Sequence, residues 1–245
     1  MPDIEWNKST WAAGYDWSRA GEEWSGPWGS SAAEWFATIM PRIGAALPAI
    51  SLLEIGPGFG RWTEFLLRFC NYYCGIDLSD KCVNNCRERF AGRPNAEFFL
   101  NDGKSLAAAA ERRFDLVFSF DSLVHAGLDA ISPYVAQVIE LLRPGGVAFL
   151  HHSNMAACPG ASYGHRAEDV SAEIVGDLVR GNSGRILIQE RFSWGDTLLS
   201  DCFSMFCRAS DHSAFKTQDI TDARLIELEG KLARERFRYY LDLKS

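Results

Sequence analysis

Glycines, carboxylates and imidazoles at the ends of short apolar runs carry the chemistry of this 245-residue chain. Gly56, Gly58 and Gly60 recur at every second position behind Glu54. Glycine lets a backbone turn sharply and approach a ligand closely, and the amides opening the helix that follows offer unpaired N–H donors to the ligand's polar end. Asp77 closes the next apolar run. A carboxylate at the carboxyl end of that strand can accept both hydroxyls of a ribose across the switch point of a doubly wound sheet, so the pattern implies a nucleoside ligand. Two further clusters can move a proton. Asp121 and His125 stand four residues apart, on one face if the turn between them is helical. His151-His152-Ser153-Asn154 follows a later apolar run, and strand alternation sends the two histidines to opposite faces, so at most one lines a given cleft wall; His152 is the one favoured. An imidazole with an ordinary pKa of about 6.5 suits removal of a hydroxyl proton.

The elements that must hold these groups follow from apolar periodicity. Residues 51–55 form one buried strand, 61–70 carry Trp62, Phe65, Leu66 and Phe69 at helical spacing, and 72–76 form a second strand, which makes a β-loop-α-β unit. Ser30 and Ser31 can cap a helix ahead of it. Ser79 caps a helix over 80–90, residues 96–100 are a third strand, 105–113 a short Ala-rich helix and 114–121 a fourth strand. Ser132 and Pro133 open a helix through Leu142, after which 147–150 is the fifth strand. A helix over 168–180 precedes two strands at 185–192 and 198–207. A long charged helix at 217–243 either packs back or pairs two copies.

The acid at the head of Glu54-x-Gly56-x-Gly58-x-Gly60 would repel a pyrophosphate, which departs from the dinucleotide fingerprint, although a nicotinamide-binding domain or a plain Gly-rich turn stays open as the alternative. At this motif the chain resembles the class I S-adenosylmethionine-dependent methyltransferases, whose first motif reads acid-x-Gly-x-Gly-x-Gly. Leu142-Arg143-Pro144-Gly145-Gly146 is similar to a second family turn, and the resemblance runs from Leu52 to Asn154. It implies an α/β, Rossmann-like, doubly wound seven-stranded sheet with an antiparallel C-terminal hairpin. It also implies S-adenosyl-L-methionine as cofactor, with S-adenosyl-L-homocysteine as its product. The cofactor wall it implies holds Glu54, Gly56, Gly58, Gly60 and Trp62, then Asp77 and Leu78. Asn101, Asp102 and Gly103 come after the third strand, Phe120 ends the fourth, and Trp28 reaches in from the aromatic arm. For Asp102, an acid that in the family commonly bonds the adenine amino group, an Asx-Gly turn is an equally natural reading.

Catalysis would fall to Asp121, His125 and His152. Phe118-Ser-Phe-Asp-Ser-Leu-Val-His125 with the later His-His run resembles bacterial sugar and glycan O-methyltransferases, and the tryptophans of residues 1–31 suit the apolar faces of a sugar ring. The acceptor expected is therefore a hydroxyl of a sugar or other small molecule. A small-molecule N-methyltransferase and a non-catalytic cofactor-binding subunit remain the alternatives. Asp121, His152, Asn154 and Asp201 are types that could converge on a metal, but the histidines replace the acidic pair of magnesium-dependent relatives, and no metal is expected. The expected organisation is an aromatic arm or lid at 1–31, the methyltransferase domain at 32–210 and a C-terminal helix at 211–245, with a homodimer through that helix as one outcome.

Composition sets outer bounds. With 47% apolar and 23% charged residues the chain can bury a sizeable core, and a net charge of −7 argues against a nucleic-acid partner. There is no apolar span of membrane length and no charged-then-apolar leader, which points to the cytoplasm. The seven cysteines read as buried thiols.

Overall fold

A computed structural model describes residues 2–194 and 197–241, with the side chains of 237–241 left aside. Eight strands form one sheet: β1 (Ala49–Ile55), β2 (Cys70–Asp77), β3 (Ala96–Leu100), β4 (Phe114–Ser119), β5 (Leu142–Ser153), β6 (Gly184–Phe192), β7 (Asp201–Arg208) and β8 (Gln218–Thr221). Their order is β3-β2-β1-β4-β5-β7-β6-β8, with β7 antiparallel to both neighbours and every other pairing parallel. The chain reverses its direction of travel across the sheet between β1 and β4, and a doubly wound sheet binds ligands outside the carboxyl ends of its strands at that crevice.

The strands alternate two apolar faces because helices cover both sides of a parallel sheet. Leu52, Leu116, Phe118, Phe149 and Phe203 face one layer, which holds Trp35, Ile39, Leu66, Val83, Ile226 and Ala233. Leu53, Val117, Ala148, Leu150 and Phe206 face the other, built on the helices Leu128–Leu141 and Ala172–Gly181. Among the described residues no helix is long and apolar enough to cross a membrane.

The doubly wound sheet with its antiparallel hairpin is the expected architecture, and several details differ. An eighth strand, β8, lies at the edge beside β6, where a continuous helix was predicted; the helix begins only at Leu225. The helix predicted over 61–70 is one α-helical turn, Thr63–Leu66, flanked by tight turns. The 105–113 helix is a single 3₁₀ turn, Ala107–Ala109. Pro133 does not open its helix, which starts five residues earlier at Leu128 behind Gly127. Ser30 caps as predicted, accepting from the Ala33 amide at 3.1 Å, whereas the Ser31 hydroxyl donates to Glu22.

Candidate functional site

The carboxyl ends of β1, β2 and β4 converge on the glycine loop. Gly56 has φ +72°, and a Cβ there would stand 2.6 Å from Ser122 Cβ; Gly58 has φ +57°, and its Cβ would meet the Trp17 ring at 2.9 Å. These two positions therefore exclude any side chain, the one because β4 closes on the loop and the other because the N-terminal arm does. Ser122 Oγ donates to the Gly56 carbonyl at 2.6 Å and Ser119 Oγ to the Ile55 carbonyl at 2.8 Å, which ties β4 to β1 at the crevice. Glu54 lies behind the loop. Its carboxylate accepts from Thr63 Oγ1 at 2.7 Å and from the Tyr73 hydroxyl, and burial pushes its pKa up to about 7.

Asp77 ends β2 and is fixed by two amides. Its Oδ2 accepts from Gly58 N at 3.0 Å and its Oδ1 from Ser79 N at 2.9 Å, while burial raises its pKa to about 6. Each carboxylate oxygen has two lone pairs, so the backbone amides do not fill its acceptor capacity. Asn101 spends its amide on Ser105 O and the Tyr134 hydroxyl. Asp102 is exposed, and its Oδ1 accepts from the amides of Lys104 and Ser105, which forms the Asx turn.

At the end of β4, Asp121 sits at φ +62°, a left-handed backbone that costs a non-glycine residue about 1–3 kcal/mol. Its carboxylate binds Arg61 Nη2 at 2.8 Å. Arg61, almost wholly buried, also donates to Ser25 Oγ at 3.1 Å, lies over the rings of Trp24 and Trp62, and stands 3.8 Å from Glu34 Oε2. That Glu34 oxygen takes no hydrogen bond among the described residues, and burial raises the Glu34 pKa to about 8 although Arg61 opposes the shift. His125 follows on a 3₁₀ turn, Leu123–His125. It forms no bond with Asp121: its Nδ1 is occupied by the His165 carbonyl, and burial lowers its pKa to about 4. The imidazole is therefore neutral near pH 7, with Nε2 left as the acceptor nitrogen.

The two adjacent histidines of β5 separate as alternation requires, but not in the sense expected. The β5–β7 register pairs Ser153 with Asp201 and Leu150 with Ser204. His151 thereby meets Asp201 diagonally on one face, Nε2 to Oδ1 at 3.0 Å, and its Nδ1 faces the Asp121 amide at 3.1 Å. His152 points to the other face, held between the Ser153 carbonyl and Ser204 Oγ, with its pKa lowered to about 4 by burial. The choice of His152 is corrected: it is sealed into the layer behind the sheet, and His151 is the histidine that reaches β4. Asn154 donates to Leu199 O and accepts from Ala172 N, so Asp121, His152, Asn154 and Asp201 are each engaged elsewhere and do not converge on a metal. Among the described residues no three His, Cys, Asp or Glu side chains are grouped to hold one.

Two adjoining cavities occupy the crevice. The larger, ≈ 80 Å³, has Arg61, Trp62, Phe120, Asp121 and His125 in its wall, and the arm contributes Trp11, Trp17 and Trp24. The smaller, ≈ 50 Å³, lies between Ile76, Gly103, Ala130 and Tyr134, with Ile4 of the arm across it. Gly56, Asp77, Leu78 and Ser122 line both. Trp28 lines neither: its indole N–H donates to Thr38 Oγ1 at 2.8 Å inside the core. Trp24 stands at the cavity instead.

Residues 52–146 match the family profile described as a methyltransferase domain. The likeness to a methyltransferase domain is confined to that stretch, less than half of the chain. It is 28% identical over 131 residues to the ubiquinone biosynthesis O-methyltransferase of Sinorhizobium fredii (strain NBRC 101917 / NGR234), covering 53% of this chain and 52% of that protein. The fold is similar to that of the N-methyltransferase NodS from Bradyrhizobium japonicum WM9 in complex with S-adenosyl-L-homocysteine, with TM-score 0.54, 19% identity, and 69% and 82% of the two chains covered. The CcbJ methyltransferase from Streptomyces caelestis aligns with TM-score 0.56 and 17% identity over 73% of this chain and 96% of its own. The chain spans about half or less of the length of the curated relatives it matches.

The matched stretch contains the glycine loop, Asp77, Asp121 and His125. The arm, His151 and Asp201 lie outside it. Arg61 is the site residue that sequence reasoning missed; the signal available was one cation placed directly after the last glycine of an otherwise apolar and acidic loop.

Proposed function

We propose that this domain moves a methyl group from S-adenosylmethionine to a hydroxyl of a small polar molecule of the sugar type. The observation that carries the reading is the junction of two cavities at Gly56 and Asp77, with a neutral imidazole, His125, in the wall of the larger. The residues present fit that cofactor. The apolar lining of Ile76, Leu78, Ala130 and Tyr134 suits a purine, and the open lone pairs of Asp77 suit ribose hydroxyls. When bound, S-adenosylmethionine supplies an electrophilic methyl group on a sulfonium. The chain's own part is to orient the acceptor, exclude water through the tryptophans of the arm, and receive the hydroxyl proton on His125 Nε2. Tryptophan faces at Trp11, Trp17 and Trp24 favour a ring with C–H faces.

An amine acceptor is the second reading. The low basicity of buried His125 favours it, because an amine attacks as its free base and needs no proton removed as the bond forms. N- and O-methyltransferases both occur among the similar proteins.

Calorimetric titration with S-adenosylhomocysteine tests the cofactor site. Wild type is expected to bind in the micromolar range, and Asp77→Ala to lose at least about tenfold in affinity, the loss of a charge-assisted hydrogen-bonding partner. Absence of binding by wild type overturns the reading; a panel of sugars and amines with labelled cofactor then separates the two acceptor classes.

A further inference from the structure

We propose that His151 is a positioning residue that holds Asp121 in its left-handed backbone conformation through the Asp121 amide, with Asp201 fixing the imidazole from behind. The proposal rests on the reading of the two joined cavities as the cofactor site, the larger of which has Asp121 and Arg61 in its wall.

The hydrogen-bond chemistry fixes the tautomer. A backbone amide can only donate, so His151 Nδ1, 3.1 Å from Asp121 N, carries no proton, and the proton sits on Nε2 facing Asp201 Oδ1 at 3.0 Å. Asp201 is held in turn: Arg166 Nη2 reaches its Oδ1 at 3.0 Å and Ser200 Oγ donates to its Oδ2 at 2.6 Å. Phe120, Phe192, Trp194 and Phe203 pack around the ring, which is fully buried and cannot turn to another partner. Both nitrogens are committed, so His151 is not a base. Its effect passes through Asp121, whose strained φ of +62° coincides with the bond from its carboxylate to Arg61. The relay thus runs from β7 through β5 to the end of β4, and it sets where the Asp121 carboxylate and the Arg61 guanidinium stand in that wall.

A double-mutant cycle separates this role from simple packing. His151→Leu is expected to weaken S-adenosylhomocysteine binding at least about tenfold, and His151→Gln, which keeps an acceptor for the amide and a donor for Asp201, by less than about threefold. Asp121→Gly lowers the starting affinity by removing the carboxylate, but it relieves the backbone strain. On that background His151→Leu is expected to cost less than about twofold more. Equal losses on both backgrounds mean that His151 only fills space and overturn the proposal, as does an undiminished affinity in His151→Leu itself. Melting temperatures of the same four proteins give a reading without ligand: a drop from His151→Leu that shrinks on the Asp121→Gly background supports the lock, and an equal drop overturns it. If wild type binds no S-adenosylhomocysteine, the cofactor reading fails on its own, and the melting temperatures decide the relay.

Discussion

His125 is the side chain on which a hydroxyl acceptor would depend, and its environment fixes what it can contribute. Burial lowers its pKa to about 4 and the His165 carbonyl holds Nδ1, so the imidazole is neutral across the physiological range. For a hydroxyl acceptor, His125→Ala is expected to reduce turnover by about 10²–10⁴ while leaving cofactor affinity within about twofold; for an amine acceptor the loss is expected to stay below about tenfold. The acid limb of the rate profile should follow the buried group near pH 4 and not an ordinary histidine near 6.5, which a pH series on any accepted substrate checks. How far such residues were legible differs by cause. Gly56, Gly58 and Asp77 were legible because strand ends and missing side chains leave a pattern in sequence. The choice between His151 and His152 was not, because alternation says that they part and only the β5–β7 register says which one meets Asp201 and the Asp121 amide. Asp102 reads the same whether it caps a turn or binds a base.

Among elements, the C-terminal helix Leu225–Leu241 shows how a weakly patterned sequence is held. Ile226 and Ala233 enter the core, and Glu229 joins Glu190 of β6 on a single guanidinium, Arg42. Arg42 Nε meets Glu190 Oε2 at 2.8 Å, Nη2 meets Glu229 Oε1 at 3.0 Å, and Nη1 donates to the Thr38 carbonyl at 2.6 Å. Breaking such a buried arrangement strands carboxylates in the interior, so Arg42→Ala is expected to cost about 3 kcal/mol in urea unfolding. Arg42→Lys should recover less than half of that, since a point charge cannot bond both carboxylates and the carbonyl at once. Residues 1–31 contrast with this helix. Their tryptophans have no helix or strand period, and nothing in spacing distinguishes Trp24 at the cavity from Trp28 in the core. β8 escaped notice for a related reason, as all four of its residues are exposed and no apolar alternation marks them.

For the whole molecule, buried acids set the response to pH. The folded pKa values of Glu34, about 8, and Glu54, about 7, lie above the ordinary carboxylate value of 4.5, so between pH 6.5 and 8 the folded state binds more protons than the unfolded chain. Stability therefore falls as pH rises through that window. The buried His125 and His152, with pKa about 4, act in the opposite sense and only below pH 6.5, where stability due to them is lost on acidification. The melting temperature is expected to decline from pH 6.5 to 8, and Glu34→Gln to flatten the decline; an unchanged slope in that variant would mean that Glu34 does not titrate there. The sheet ends, beyond β6, in β8, a four-residue strand with no buried side chain, where Asp219 engages Arg191 of β6. Exposed strand edges invite other chains to add to them, and a short, polar, charge-paired edge offers too few apolar contacts to reward that addition. On this side the sheet is finished rather than interrupted, and crowding should not turn it into a template for fibres.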